Sequence, residues 1–145
     1  HGCVLGEMAC SAPDPADGKT RAGSFPEWFE DGPVIPHSDG AGTIGEVGPG
    51  VSSARIGERV WVYQAQFQRQ HGTAAQFISV PSERAVWLPD AADFASGACM
   101  GIPAMTAHRC VFADGAVEGQ NILGRGGAGR GRGGGGGEVW WWGGR

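Results

Sequence analysis

The chain has 145 residues, a formal net charge of -4 and a hydrophobic fraction of 41%. This length suits one ordinary domain with a modest core, and the mild acidity argues against a general affinity for nucleic acid or anionic membranes. The N-terminus lacks a basic segment followed by an apolar one, and no apolar run approaches the roughly 20 residues of a membrane span. We therefore expect a globular cytoplasmic protein with no nucleic-acid or membrane partner.

Residues 1–13 show no clean hydrophobic period, and we expect an irregular segment there. Glycine and proline turns around residues 48–50 and 57 separate stretches of alternating or β-branched residues. These stretches predict strands at residues 43–47, 59–63, 73–81 and 85–89. The predicted fold class is therefore mainly β.

Two helices are predicted after the strands. Asp90 and Asp93 offer N-cap oxygens to a helix that begins near Ala91 or Phe94. A second helix follows Pro103, which suits a first turn because the amide there has no intrahelical partner.

One long motif carries a family resemblance. The segment SDGAGTIGEVGPGV, followed by IGERVWV, resembles the signature of the medium-chain dehydrogenase/reductase superfamily, and most closely its zinc-free NADPH:quinone oxidoreductase branch. The resemblance implies a GroES-like β-barrel at residues 14–118, then a truncated start of a Rossmann-type dinucleotide-binding domain at residues 119–132. Residues 133–145 are expected to form an irregular Gly/Trp-rich tail. Since a complete reductase of this superfamily needs about two domains, we expect this chain to be a fragment.

The same resemblance disfavours a catalytic metal. Ser38 and Asp14 stand where zinc-dependent relatives place a histidine and a cysteine, and a serine hydroxyl is a poor zinc ligand. His37 lies one position too early, so a loop or surface histidine is favoured over a ligand. Cys99 remains the alternative candidate. The four cysteines form no CxxC pair, which favours free thiols, although their even number leaves disulfides open.

The resemblance also implies a substrate cleft shaped by Asp17, Lys19, Asp39 and Tyr63. Lys19 either meets a quinone oxygen or phosphate, or is a solvated surface charge. The aromatic loop that contains Phe29 either floors an apolar pocket or packs on the barrel. No catalytic residue is assigned, and His108 is open to a role as general acid or as a packed histidine.

For the cofactor, the resemblance places Thr106 beside NADPH and Gly126, Gly127 and Gly129 at its pyrophosphate. Such a site needs a helix after the glycines, whose N-terminal amides face the anion. The run GRGGGGG at residues 131–137 disfavours a helix by about 1 kcal/mol per glycine, and Gly124 is expected to interrupt the preceding strand. We expect this chain by itself to bind NADPH poorly or not at all.

The resulting hypothesis is a metal-free oxidoreductase that passes hydride from NADPH to a quinone or enone, inactive as this fragment and a possible homodimer when complete. Two alternatives remain. One is a zinc-dependent alcohol dehydrogenase relative, and the other is a non-catalytic module whose Gly/Arg-rich tail binds RNA.

Overall fold

The computed structural model describes residues 2–30, 32–113 and 115–118, together with the strand backbones at residues 121–125 and 139–143. The chain divides into two compact units, His1–Ala104 and Met105–Arg145. The helix that begins the second unit, at residues 105–112, buries none of its residues.

The first unit is built on an antiparallel sheet of five strands in the order β4-β1-β2-β3-β5. The strands are β1 (Cys3–Ala12), β2 (Asp39–Val47), β3 (Arg59–Val62), β4 (Phe77–Pro81) and β5 (Ala85–Trp87). The predicted mainly β class is confirmed. The four predicted strands are β2 to β5, although β4 begins at Phe77 rather than at residue 73.

The expectation of an irregular segment at residues 1–13 is wrong, because β1 occupies most of it and pairs with both β2 and β4. The alternation along β1 is hidden in the sequence. Gly6 takes a buried position, while its apolar neighbour Leu5 is only half-buried. Two register shifts against β2, at Leu5/Gly6 and at Met8/Cys10, break the period of two further.

Two hydrophobic clusters hold this unit together. The larger cluster contains Val4, Ile44, Val60, Val62, Ala65, Ile78, Val80 and Ala85. The smaller contains Ala41, Leu88 and Ala98, with Cys10, Ala12, Trp61, Ala92 and Phe94 packed against it. Val60 and Val62 join the first cluster and Trp61 the second, as expected when successive side chains of a strand point to opposite faces. The sheet is thus covered on both sides.

Short helices complete the first unit. They are α1 (Pro15–Arg21), α2 (Phe94–Ala98), three 3₁₀ turns (Pro26–Phe29, Ser53–Arg55 and Ser82–Arg84) and a π-helical turn (Met100–Ala104). The predicted cap of α2 is confirmed, because the Asp93 carboxylate accepts a hydrogen bond from the Ser96 amide at 2.7 Å.

The second unit contains α3 (Met105–Phe112), β6 (Asn121–Arg125) and β7 (Val139–Gly143). The helix predicted after Pro103 is α3. Two expectations are wrong here: β6 continues through Gly124, and the tail contains a strand that pairs with β6 in antiparallel register. The β-branched and aromatic residues of VWWWG favour a strand despite the surrounding glycines. Within the described part of the chain, no helix is long and apolar enough to cross a membrane.

Candidate functional site

A cleft of about 440 Å³ opens beside α1 in the first unit. Its walls come from α1 and the residues before it, from Phe29 at the end of a 3₁₀ turn, and from the segment that leads into β2. The lining residues are Pro13, Asp14, Asp17, Gly18, Thr20, Arg21, Phe29, Val34, Pro36 and His37. The cleft therefore combines an aromatic ring and aliphatic groups with four ionisable side chains.

The N-terminus of α1 fixes one wall of the cleft. Asp14 caps the helix, because its Oδ1 accepts a hydrogen bond from the Ala16 amide at 2.6 Å. Asp17 completes a capping box by accepting from the Asp14 amide through Oδ2 at 2.7 Å. Its other oxygen, Oδ1, accepts from the His37 amide at 3.1 Å. Asp17 thereby ties α1 to the segment before β2.

His37 also lines the cleft, and it lies in a loop, outside any strand, with φ of 77°. Its side chain is half-buried, and its Nδ1 lies 2.7 Å from the Ser11 hydroxyl oxygen. Its carbonyl oxygen accepts a hydrogen bond from the Thr73 amide at 2.8 Å. Thr73 is completely buried. Contacts of the imidazole with β1, and of the His37 backbone with α1 and the loop before β4, thus converge on this one residue.

Asp39 is buried behind the cleft, at the start of β2. Its Oδ2 accepts a hydrogen bond from the Ile102 amide at 2.6 Å, whereas Oδ1 has no partner among the described residues. Burial raises the pKa of Asp39 from 3.8 to about 6. The hydrogen bond from Ile102 opposes this pKa shift, while the negative charges of Asp14 and Asp17 add to it.

The structure separates the predicted substrate-cleft residues. Asp17 lines the cleft, whereas Lys19 is exposed and is not among the lining residues. Asp39 is buried and is not among the lining residues, and the negative charge of Asp17 contributes to its raised pKa. Tyr63 packs against Trp61, with ring centroids 5.7 Å apart, and its hydroxyl donates to the Glu83 carbonyl at 3.3 Å.

The predicted cofactor residues lie in the second unit. Thr106 is exposed near the start of α3, so its hydroxyl is accessible to a ligand. Gly126, Gly127 and Gly129 lie outside the described residues, and so does the interrupted glycine run at residues 131–137. Across the part of the chain that the structure describes, Thr106 is the only predicted NADPH contact with a defined position.

Two of the side chains considered as zinc ligands have other environments in the structure. The Asp14 carboxylate serves as a helix cap, and Cys99 is exposed at the end of α2. Within residues 2–30, 32–113 and 115–118, no three His, Cys, Asp or Glu side chains come together as potential ligands. Ser38 and Asp14 therefore do not provide the nitrogen and sulfur donors that a catalytic zinc ion prefers.

The sequence did not identify two polar residues of this site. Ser11 belongs to the segment expected to be irregular, and Thr73 was assigned only to a predicted strand. No local pattern identifies the role of either residue, because their contacts span 26 and 62 residues of sequence. Phe29 was left open between the pocket and the barrel, and it lines the cleft while 48% exposed.

Comparisons with known proteins agree with this architecture. Residues 2–90, well over half of the chain, match the family model described as the alcohol dehydrogenase GroES-like domain. The chain belongs to this family. The predicted membership of the medium-chain dehydrogenase/reductase superfamily and the predicted GroES-like fold are confirmed.

Among the relatives, a quinone oxidoreductase of Rattus norvegicus is 38% identical over 98 residues, which cover 67% of this chain and 29% of that protein. A 2-methylene-furan-3-one reductase of Solanum lycopersicum is 28% identical over 130 residues, or 87% and 34% of the two chains. A mycobacterial protein solved in complex with NADPH superposes with a TM-score of 0.69 at 26% identity, covering 83% of this chain and 36% of that one. The chain thus spans about a third of the length of these GroES-like relatives.

Proposed function

We propose that this chain carries the acceptor-binding part of a cytoplasmic reductase, which transfers hydride from NADPH to a quinone or enone without a metal ion. The observation that carries the proposal is the mixed character of the cleft. Phe29 and Val34 offer an apolar surface, and His37 adds a polar group. Among the residues that the structure describes, no group of three potential metal ligands comes together. A flat conjugated carbonyl compound needs this combination of an apolar wall and a few polar groups.

The relatives support the choice of acceptor. The rat protein is named for quinones, and the tomato protein for an exocyclic enone. Both acceptors are conjugated carbonyl compounds. The alcohol dehydrogenase alternative would require a zinc site, for which a carboxylate and a hydroxyl from Asp14 and Ser38 would be an atypical pair of ligands.

When bound, NADPH supplies the hydride, and the protein contributes binding and orientation. Thr106 and the glycines Gly126, Gly127 and Gly129 would hold the cofactor, within a dinucleotide-binding domain that begins at residues 119–132. Asp17, Lys19, Asp39 and Tyr63 would shape or support the acceptor side. We propose further that the chain alone binds NADPH poorly, because the following glycine run disfavours the helix that such a site needs. The complete enzyme is proposed to be a homodimer.

A chimera tests this function. Residues after Gly124 are replaced by the cofactor domain of the rat quinone oxidoreductase, and NADPH fluorescence, quinone-dependent NADPH oxidation and zinc content are measured. We expect NADPH binding and turnover in the chimera, weak or no NADPH binding by the natural chain, and no zinc in either. Stoichiometric zinc would support the alcohol dehydrogenase alternative. A folded chimera that binds NADPH but reduces no quinone or enone would contradict the proposal.

A further inference from the structure

His37 adopts a backbone conformation that favours glycine. Its φ of 77° lies in the left-handed region, where a side chain with a Cβ is strained. The Asp17 carboxylate holds its amide and the Thr73 amide holds its carbonyl, at 3.1 and 2.8 Å. These two hydrogen bonds hold the backbone of His37 in this conformation, and its imidazole lines the cleft.

The hydroxyl groups of Thr73 and Ser11 determine which nitrogen of the His37 ring carries a hydrogen. The Thr73 hydroxyl oxygen lies 2.5 Å from the Asp39 carbonyl oxygen, a distance that requires a hydrogen between the two. A carbonyl has no hydrogen to give, so Thr73 donates its only one. Thr73 therefore accepts at its 2.8 Å contact with Ser11, and Ser11 is the donor there.

The Ser11 hydroxyl in turn determines which nitrogen of the His37 ring carries a hydrogen. The Ser11 hydroxyl has a single hydrogen, which it donates to Thr73. At the 2.7 Å contact with His37, the Ser11 oxygen therefore accepts a hydrogen bond from Nδ1. Nδ1 of His37 must then carry a hydrogen in both the neutral and the charged imidazole. Nε2 is the nitrogen that gains or loses the proton, and it has no hydrogen-bond partner among the described residues.

We propose that His37 is a catalytic residue that exchanges a proton with the oxygen of the bound acceptor through Nε2, and that Ser11 is the positioning residue that fixes its tautomer. The inference rests on the proposed function of the cleft. Asp14, Asp17 and Arg21 are the other ionisable groups that line the cleft. The two carboxylates already accept backbone hydrogen bonds, so His37 is the group suited to proton exchange.

The step balances. In the direction of reduction, the Nε2–H bond of the imidazolium breaks and an O–H bond forms on the acceptor oxygen. The electron pair for this bond would already lie on that oxygen, because the cofactor, when bound, would supply hydride to the conjugated system. His37 is left neutral with its hydrogen on Nδ1, and it regains the Nε2 proton from solvent.

The tautomer is tested first, on the natural chain, by ¹⁵N NMR of the histidine side chains above their titration range. We expect the Nδ1–H form for His37 and a mixture, or the Nε2–H form, in Ser11→Ala. A neutral Nε2–H tautomer in the natural chain would overturn the proposal without affecting the proposed function of the cleft.

Proton exchange with a ligand is tested with hydroquinone under reducing conditions, since its hydroxyl can donate to neutral Nε2. We expect saturable shifts of the His37 Nε2 resonance, and roughly fivefold weaker binding in His37→Asn, which tolerates the left-handed region. His71→Asn is the matched control, because that side chain is exposed outside the cleft, and it should bind as the natural chain does. Binding at the cleft without a response of Nε2 would overturn the role of His37 alone, whereas no binding at all would overturn the proposed acceptor site with it.

Discussion

Two depressions of similar size in the first unit differ in how their polar groups are used. The cleft beside α1 has a volume of about 440 Å³, and a second depression of about 470 Å³ is lined by Gly2, Gly50, Val51, Ser52, Arg55, Ser82 and Glu83. The second depression is slightly larger, yet the guanidinium of Arg55, its one cation, already donates its hydrogen bonds to groups of the protein. Volume therefore does not identify the functional site of this domain.

The Arg55 guanidinium is held by three neighbouring residues. Its guanidinium contacts the Glu58 carboxylate at 2.8 Å, the Ser82 hydroxyl oxygen at 2.7 Å and the Ala85 carbonyl at 2.6 Å. Its hydrogen-bonding groups tie the turn after β2 to β5, which is a structural task. In the cleft, by contrast, the network ends at a ring nitrogen of His37 that has no partner among the described residues. The two depressions therefore differ in whether their polar groups are engaged within the protein, and not in size.

The largest expected effect comes from filling the space beneath the cleft. A Cβ at buried Gly72 would overlap the carbonyl oxygens of Pro36 and His37, so the loop that carries the imidazole would have to move. We expect Gly72→Ala to lower the free energy of unfolding by about 3 kcal/mol, the upper end of the usual cost of overpacking, because the added Cβ meets backbone atoms. Urea denaturation followed by tryptophan fluorescence measures this change.

Gly18→Ala is the matched control on the cleft wall. An added Cβ there meets nothing within 4 Å, and Gly18 lies inside α1. Alanine should stabilise the chain by about 0.5–1 kcal/mol, because it favours the helix. Equal losses in both variants would contradict the described packing of the cleft.

The next effect is a pH dependence from Asp39 behind the cleft. Burial raises its pKa to about 6, so the folded protein keeps a proton that the unfolded chain releases at lower pH. The stability contributed by the protonated carboxyl is complete below the unfolded pKa of 3.8 and is lost as the pH rises to about 6. The loss is at most about 3 kcal/mol, from the pKa difference at 1.36 kcal/mol per unit.

Asp39→Asn removes this titration while it retains an oxygen that can accept from the Ile102 amide. Urea denaturation between pH 4 and 7 should show that the natural chain loses stability relative to this variant as the pH rises. Parallel stability curves for the two proteins would show that the pKa of Asp39 is not raised.

These elements also show how far the sequence alone could go. The alternation of β2 and β3 and the Asp93 cap are local patterns, and each predicted the correct element. The network of Ser11, His37 and Thr73 is not local, because it brings together residues from β1 and from two loops. No spacing along the chain encodes it. Two register shifts hid β1 from the period of two, so Ser11 had no assigned strand to place it.

The second depression provides the next prediction. Arg55→Ala removes several charge-assisted hydrogen bonds of a half-buried group, and we expect a loss of about 2 kcal/mol in the free energy of unfolding. Arg21→Ala, an exposed cation at the cleft, should change stability by less than about 0.5 kcal/mol. Thermal unfolding of both variants provides the comparison. A larger loss of stability in Arg21→Ala than in Arg55→Ala would contradict a structural role for the depression around Arg55 and a ligand-binding role for the cleft beside α1.

The smallest expected effect concerns the apolar wall. Phe29 lines the cleft and is 48% exposed, so Phe29→Ala should cost less than about 1 kcal/mol of stability. It should weaken hydroquinone binding roughly threefold, because the ring covers one side of a flat acceptor. Phe77→Ala, which is 50% exposed on β4 and outside the cleft, is the control in the same titration. Equal effects of the two variants would argue against the aromatic wall.

The most direct test of the central claim is a titration of the ¹⁵N-labelled chain with hydroquinone, followed through the backbone amides. We expect saturable chemical-shift changes at the amides of Asp17, Gly18, Val34 and His37, and no change at the amides of Val51, Arg55 and Ser82. Shifts centred on the depression around Arg55, or shifts at neither region up to the solubility limit of hydroquinone, would contradict the assignment of the cleft beside α1 as the acceptor site.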